Sequence, residues 1–392
     1  MGKKNYAYIN KEMLVWARST TPFETTLDVQ ERVKIDASKI NAWESGEDLP
    51  SINEAKKLAA LYKIPFATFF LPEPPAVEPR PYTDRRTYNG TVYRETSYDL
   101  WAEIGRITGN RDKMLEYTEY ENDFEYEALP VFDSSATTKD IADAMRNYLG
   151  LVLPFKNKNS YKNAYIYYRG VLEAHGIMVA QVTGITLEEM KGISIYYDKF
   201  PIIAVNNKDY ERAKAFSLFH ELAHLVRRSS SLCLIDFDDR NDEEEKMCDR
   251  IAAEIMMPEK EFTEVADEIG LAYREWSIEC LNDIADKFAA SPVSVIRRLY
   301  ELKKVTKSEY QRIYKELADD FALKQDQIDA AKEGRNFNIP YYAKYLNKEG
   351  YLFAKIIMSS YSKGVISYGE MCQTLNVSRA HIDKIERAVM FV

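Results

Sequence analysis

The sequence predicts a mainly α-helical protein with one small α+β part. Apolar residues recur at helical spacing through most of the 392 residues. Three short runs rich in β-branched and aromatic residues occur close together, at 177–182, 193–197 and 202–205, and they read as strands. The last two runs are separated by four residues, which predicts a short antiparallel hairpin. Prolines at 65–75 interrupt the helical pattern and mark a domain boundary.

The chain is too long for one ordinary hydrophobic core, so we expect several domains. The first is a helix-turn-helix bundle at 1–72, followed by a linker and helical connecting region at 73–160. The strand-like runs and the histidine pair described below lie in a third part, 161–265. A helical C-terminal region occupies 266–392.

Composition restricts the class of protein and its compartment. A net charge of -9 argues against a polyanion-binding surface over the whole molecule, although a local basic patch stays open. Four cysteines without a Cys-x-x-Cys pair indicate a reducing compartment. The sequence has no apolar stretch of membrane-spanning length and no export signal, so we expect a cytoplasmic protein with no membrane partner.

Two of the four histidines lie in the segment His220-Glu221-Leu222-Ala223-His224. On an α-helix, residues four apart lie one turn apart on the same face, so both imidazoles can reach one Zn2+ ion. Glu221 lies about 100° further round, where its carboxylate can act as the catalytic base and take a proton from water. The alternative is an amphipathic helix with two incidental histidines.

A catalytic zinc usually has three protein ligands, so a third is expected. The best candidate is Glu245, because on a helix it shares one face with Cys248 and Asp249. Glu244 is the next choice, and Cys248 is a less favoured soft ligand. Asp249 would accept the outer N–H of a ligand histidine. The alternative role for Glu245 is a helix-capping box with Asp242.

Three segments between Gly176 and Pro258 carry a family resemblance. They are Val182-Thr183-Gly184-Ile185-Thr186-Leu187-Glu188-Glu189 with Gly192-Ile193-Ser194, the His-Glu-Leu-Ala-His segment, and Glu-x-x-Cys-Asp-x-Ile-Ala-Ala-Glu-x-Met-Met-Pro. This run resembles the ImmA/IrrE family of bacterial and phage metallopeptidases. The resemblance implies a minimal gluzincin-like core with Glu245 as the third ligand. The family usually has Asn at the position of Asp249, a departure that leaves its supporting role intact.

The resemblance also implies how substrate binds. Gluzincins add an extended peptide to a sheet edge. Here that edge would be the outer strand of the hairpin, formed by Ile193, Ser194, Ile195, Tyr196 and Tyr197. A structural strand paired on both sides is the alternative. Family precedent suggests a regulatory protein, of repressor or antitoxin type, as the substrate.

The front of the chain predicts a helix-turn-helix. Residues 27–33 form its first helix and 37–44 its second, ended by Ser45-Gly46. The segment from Lys39 to Ser51 resembles the XRE type of DNA-binding domain. Such domains read the major groove with the second helix.

Three residues of this second helix are candidate DNA contacts: Ser38, Lys39 and Asn41. Residues 1–72 carry ten Lys or Arg against nine Asp or Glu, which is weak electrostatic support for phosphate contacts. A protein-docking module, or a domain that binds DNA only as a homodimer, therefore stays open.

These observations lead to two hypotheses. The first is an intracellular zinc endopeptidase that cleaves a regulatory protein and is coupled to a DNA- or partner-binding helix-turn-helix. The alternative is a DNA-binding transcription regulator whose metal site is structural, sensory or degenerate. Glu221 discriminates between them, because a structural zinc site prefers four protein ligands and needs no base beside it.

Overall fold

The structure, a computed structural model, describes most of the chain in two compact units. One unit comprises Met1–Arg80 and Arg94–Thr108, and the other Pro81–Tyr93 and Gly109–Val392. The described residues are 5–75, 83–84, 87–88, 91–92, 96–119, 124–132, 135–155, 164–229, 231–233, 243–332 and 339–390. The linker is expected to begin at residue 73, and most of residues 73–95 lie outside the described part of the chain. The four-part division of the chain stays a prediction.

The first unit is helical. Its helices are α1 (Lys11–Ser19), α2 (Thr26–Val33), α3 (Ala37–Ser45), α4 (Ile52–Leu61), a 3-10 turn at Phe66–Phe70, and the first part of α5 (Tyr98–Thr118). Helices α2 and α3 lie where the sequence predicts two short helices. Thr25 and Asp28 form a capping box at the start of α2, and Gly46 ends α3 with a left-handed φ of 82°. The XRE assignment stays a prediction.

The second unit contains the remaining helices and the strands. Its helices are α6 (Thr138–Leu149), α7 (Ala164–Ala174), α8 (Glu211–Val226), α9 (Glu243–Met256), α10 (Glu259–Tyr273), α11 (Ile278–Phe288), α12 (Pro292–Glu301), α13 (Lys307–Lys332), α14 (Tyr341–Glu349), α15 (Tyr351–Ser362), α16 (Tyr368–Leu375) and α17 (Arg379–Met390). The predicted mainly α fold with a small α+β part is confirmed. In the described part of the chain, every helix is too short or too polar to cross a membrane.

The strands are short. They are β1 (Thr83–Asp84), β2 (Thr87–Tyr88), β3 (Thr91–Val92), β4 (Met178–Val182), β5 (Gly192–Ile195), β6 (Ile202–Asn206) and β7 (Ser231–Cys233). Strands β2 and β3 pair with each other, and the others form one sheet in the order β1-β7-β5-β6-β4.

This five-stranded sheet is mixed rather than purely antiparallel. Strands β5 and β6 pair antiparallel, as the sequence predicts for the hairpin, with Ile193 opposite Ala204. Strand β4 pairs parallel with β6, because the hairpin brings β6 between β4 and β5. Every residue of β4, β5 and β6 is buried, which explains their nearly continuous apolar sequences.

Helix α8 connects the sheet with the surrounding helices. It packs against β5 and β6 and against α7 and α9. Leu218, Phe219, Leu222 and Leu225 are all buried in the main core of this unit. A helix that is buried almost all round is held rigidly by its neighbours, so its polar side chains are fixed in direction.

Candidate active site

The candidate site lies where α8 packs against the first turn of α9. His220 and His224 come from α8, and Glu245 comes from α9. The two imidazoles have no exposed surface, and Glu245 is 2% exposed. Burying three ionisable groups together is costly unless they share a partner. The alternative role of Glu245, a capping box with Asp242, involves a residue outside the described part of the chain.

The three side chains converge through specific atoms. His220 Nε2 lies 3.2 Å from His224 Nε2 and 3.3 Å from Glu245 Oε2. His224 Nε2 lies 3.2 Å from Glu245 Oε1. Two ligand atoms of a tetrahedral ion, each bonded at about 2.05 Å, lie about 3.3 Å apart. Each of the three distances is therefore close to that of two ligands of one ion, although the two imidazoles face different oxygens of Glu245, and the two rings and the carboxylate together could hold a metal ion.

The charges around the histidines favour a cation. Burial lowers the pKa of His220, but hydrogen bonds and charges from Asp249 and Glu245 outweigh that effect and raise the pKa to about 10. Burial raises the pKa of Glu245, and hydrogen bonds from His220 and His224 reverse this and lower it well below its usual range. Metal ions bind neutral imidazole, so a bound ion would take the place of the proton that this anionic surrounding favours.

Asp249 supports one of the two histidines. Its Oδ1 lies 2.8 Å from His220 Nδ1, so it can accept the outer N–H of that ring and leave Nε2 for a metal. Arg297 Nη2 lies 3.6 Å from the other oxygen of Asp249. The structure thus places Asp249 where the sequence expects it, at His220.

The other histidine is supported differently, by Ser229. His224 Nδ1 lies 3.0 Å from Ser229 Oγ, and this hydroxyl also lies 2.8 Å from Glu244 Oε1. Glu244 forms an ion pair with Arg227, whose hydrogen bond lowers the pKa of the carboxyl. Glu244, the second choice for a ligand, therefore lies behind His224. Sequence reasoning missed Ser229, which lies just beyond the helix end and outside any periodic pattern.

Cys248, the third choice, lies beside His224 on the side away from the converging atoms. Its Sγ is 3.4 Å from His224 Nδ1, not from Nε2. Burial raises the pKa of this thiol well above its ordinary value. With His224 and Glu244, Cys248 also belongs to a second group of possible ligands, whose atoms lie within 4.8 Å of one another.

Glu221 is fully buried beside the first residue of β5. A Cβ added to Gly192 would lie 2.9 Å from Glu221 Cδ and 3.0 Å from Cγ. Only a residue without a side chain leaves room for the carboxylate at this point. Sequence reasoning missed Gly192, although a glycine at the start of a strand-like run is a known sign of close approach.

Strand β5 lies between two other strands, β6 and β7. Ile193 pairs with Ala204 on one side and with Leu232 of β7 on the other, so it is not the open edge expected from the sequence. The cause is the return of the chain as β7 after α8. Ser194 and Ile195 pair with Ile203 and Ile202 of β6.

A cleft opens beyond the end of β5. The residues expected to continue the strand, Tyr196 and Tyr197, line it together with Arg228, and its volume is about 430 Å3. The Arg228 guanidinium lies 3.4 Å from the centre of the Tyr196 ring. Arg228 lies two residues beyond the end of α8, the helix that carries both histidines.

The three candidate DNA contacts lie on the exposed surface of α3. Ser38, Lys39 and Asn41 are all exposed. Each also contacts its own unit: Ser38 Oγ donates to Asp36 at 2.5 Å, Asn41 Oδ1 accepts from Thr26 at 2.9 Å, and Lys39 Nζ lies 3.9 Å from Glu54.

Residues 172–300 match a peptidase family model, described as the IrrE N-terminal-like domain. This match supports the ImmA/IrrE resemblance and a metallopeptidase type of function for that part of the chain. It includes β4 to β7, α8, α9 and all three converging side chains. A comparison with curated proteins found no match.

Proposed function

We propose that this protein is a zinc-dependent endopeptidase that cleaves a regulatory protein. The observation that carries the proposal is the convergence of His220, His224 and Glu245 in a buried site next to Glu221. Two imidazoles and one carboxylate are a ligand set typical of catalytic zinc. Family precedent and the resemblance of the N-terminal segment to a DNA-binding domain support a regulatory substrate, of repressor or antitoxin type.

In this proposal each residue has a separate role. Bound Zn2+ supplies a Lewis acid that polarises the scissile carbonyl and lowers the pKa of water. Glu221 takes the proton from the attacking water and passes it to the leaving amide nitrogen. Gly192 leaves the space in which the Glu221 carboxylate lies.

The substrate would lie as an extended peptide at the end of β5. One of its side chains would enter the cleft lined by Tyr196, Tyr197 and Arg228. The cleft is also lined by Glu125, Glu127, Asp198 and Lys199, so both signs of charge face it, and its aromatic rings suit an apolar side chain.

Removal of the metal should abolish proteolysis reversibly. Purified protein is added to an extract of cells that lack it, and new protein N-termini are identified by mass spectrometry. We expect a small set of new N-termini that disappears after chelation and returns with one equivalent of Zn2+, because the ion carries the electrophilic step.

The matched variant is Glu245→Ala, which removes one ligand from the chelated protein. Zinc should not restore cleavage to this variant. If cleavage survives chelation, or if Glu245→Ala is restored as fully as the parent, then the proposed centre is not responsible for the activity.

We further propose that α3 of the first unit binds DNA, alone or in a homodimer. The exposure of Ser38, Lys39 and Asn41 supports this proposal, because residues that contact DNA must reach the surface. After selection of a preferred site from random duplexes, Lys39→Ala should weaken binding and reduce the slope of log K against log salt by about 1. Lys57→Ala, an equal loss of charge at an exposed position of α4, is the control. Equal effects of both, or no selected sequence, would favour a protein-docking role.

A further inference from the structure

The two histidines of the site are supported by different chemistry. His220 Nδ1 faces a carboxylate directly, at 2.8 Å from Asp249 Oδ1. His224 Nδ1 faces a hydroxyl, at 3.0 Å from Ser229 Oγ. A carboxylate can only accept, so it fixes the proton on His220 Nδ1 without further help. A hydroxyl can donate or accept, so Ser229 alone would leave the tautomer of His224 open.

Glu244 and Arg227 remove this ambiguity. Arg227 Nε and Nη2 lie 2.8 Å from Glu244 Oε1 and Oε2, the two-pronged geometry of an ionised carboxylate with a guanidinium. The same Oε1 lies 2.8 Å from Ser229 Oγ. The carboxylate cannot donate, so the single hydroxyl proton of Ser229 points to Glu244.

The direction of the remaining hydrogen bond follows. With its proton engaged, Ser229 Oγ can only accept from His224, so Nδ1 carries the proton and the lone pair lies on Nε2. The other acceptor near the hydroxyl, the carbonyl of His224, is 3.5 Å away and competes weakly. Nε2 is the atom that converges with His220 and Glu245.

We propose that Arg227, Glu244 and Ser229 form a positioning relay that fixes His224 in the tautomer required of a metal ligand. This inference rests on the proposed function. The relay acts through His224 and does not touch substrate.

The relay also keeps His224 from a competing partner. Cys248 Sγ lies 3.4 Å from the same Nδ1. A neutral thiol that donated its proton to Nδ1 would leave the proton of the imidazole on Nε2, where it would block metal binding. A carboxylate-backed hydroxyl is a stronger partner for Nδ1–H than a thiol sulfur, which accepts weakly.

Local backbone structure holds Ser229 in place. Arg228 has a left-handed φ of 56°, which ends α8 and turns the chain back over its last turn. The N–H of Ser229 then donates to the carbonyl of His224 at 2.9 Å. Both the backbone and the side chain of Ser229 are therefore attached to His224.

The test measures metal binding by the full chain and needs no substrate. Zinc affinity is measured by competition with a chelating dye, and the absorption spectrum of bound Co2+ reports the ligand geometry. We expect Ser229→Ala and Glu244→Gln each to weaken zinc binding by roughly 10- to 100-fold, the usual effect of losing a partner of a ligand histidine, and to shift the Co2+ bands. Ser229→Thr keeps the hydroxyl and should bind close to the parent.

The matched control is Glu243→Gln, the same change at the neighbouring exposed position of α9. It should bind zinc like the parent. If Ser229→Ala and Glu244→Gln also bind zinc like the parent with unchanged Co2+ spectra, the relay is refuted. His220→Ala separates this failure from that of the metal centre, because an unchanged affinity in that variant would refute the centre itself.

Discussion

Replacing Glu221 by glutamine should leave one zinc ion per chain and reduce peptide cleavage by roughly 100- to 10,000-fold, the usual contribution of a general base. The amide has nearly the shape of the carboxylate, so the space beside Gly192 stays filled. The amide cannot accept a proton from water at neutral pH, so the step assigned to Glu221 is lost. The measurement combines metal analysis with the rate of cleavage at the sites that the parent produces.

The control for this variant is Glu211→Gln. Glu211 lies in the first turn of the same helix, exposed and paired with Lys214 at 2.6 Å. Its replacement should change neither metal content nor cleavage. If Glu221→Gln cleaves as fast as the parent, the general-base mechanism is wrong. If neither the parent nor the variant cleaves anything while both bind zinc, a regulator with a structural or sensory metal becomes the better hypothesis.

The converging ligand atoms were predictable because their placement is mostly local. The spacing of His220 and His224 follows from helix geometry alone, and any α8 with this sequence would present both rings on one side. Glu245 required one further assumption, that its helix packs against α8. Ala252 and Ala253 of α9 are buried in the same apolar core as α8.

Ser229 and Gly192 could not be assigned in the same way. The position of Ser229 depends on a left-handed residue that is an arginine rather than a glycine, so the turn has no marker in the sequence. The role of Gly192 depends on where β5 crosses α8, which is a property of the tertiary structure. In both cases the sequence shows the residue itself, but it does not show which residue it contacts in the folded protein.

The number of strands that flank β5 also depends on tertiary structure rather than on the local sequence. The alternation and apolarity of 193–197 predict a strand, and they contain no information on how many strands flank it. Ile193 pairs with Leu232 of β7, and β7 is only three residues long. Such a short run lies below the length at which sequence periodicity is informative.

Glu254 is another carboxylate of α9, nine residues after Glu245 and therefore on a different side of that helix. It forms a buried ion pair with Arg298 of α12, each side chain being 7% exposed. Both groups have further partners. Arg298 Nε donates to the carbonyl of Met257 at 3.1 Å, and Glu254 Oε1 accepts from the backbone of Glu259 at 3.1 Å. The pair therefore fastens α12 to the end of α9 and the start of α10.

Arg298→Met should lower the free energy of unfolding by about 3 to 5 kcal/mol, because it leaves the Glu254 carboxylate buried without its cation. The double variant Arg298→Met with Glu254→Leu should recover part of this loss, since no uncompensated charge is left. The recovery should be incomplete, because the contacts with Met257 and Glu259 are lost. Denaturant unfolding of the metal-free protein, followed by far-ultraviolet circular dichroism, measures these changes.

The control is Arg312→Met, the same substitution in an exposed pair with Glu316, in which the two side chains are 60% and 47% exposed. Exposed ion pairs contribute about 0 to 1 kcal/mol, so this variant should unfold close to the parent. A loss in Arg298→Met no larger than that of the control would mean that the Glu254–Arg298 pair does not hold α9 and α12 together. The position of α9 would then depend on apolar packing alone, and variants such as Ile251→Ala should produce the larger destabilisation.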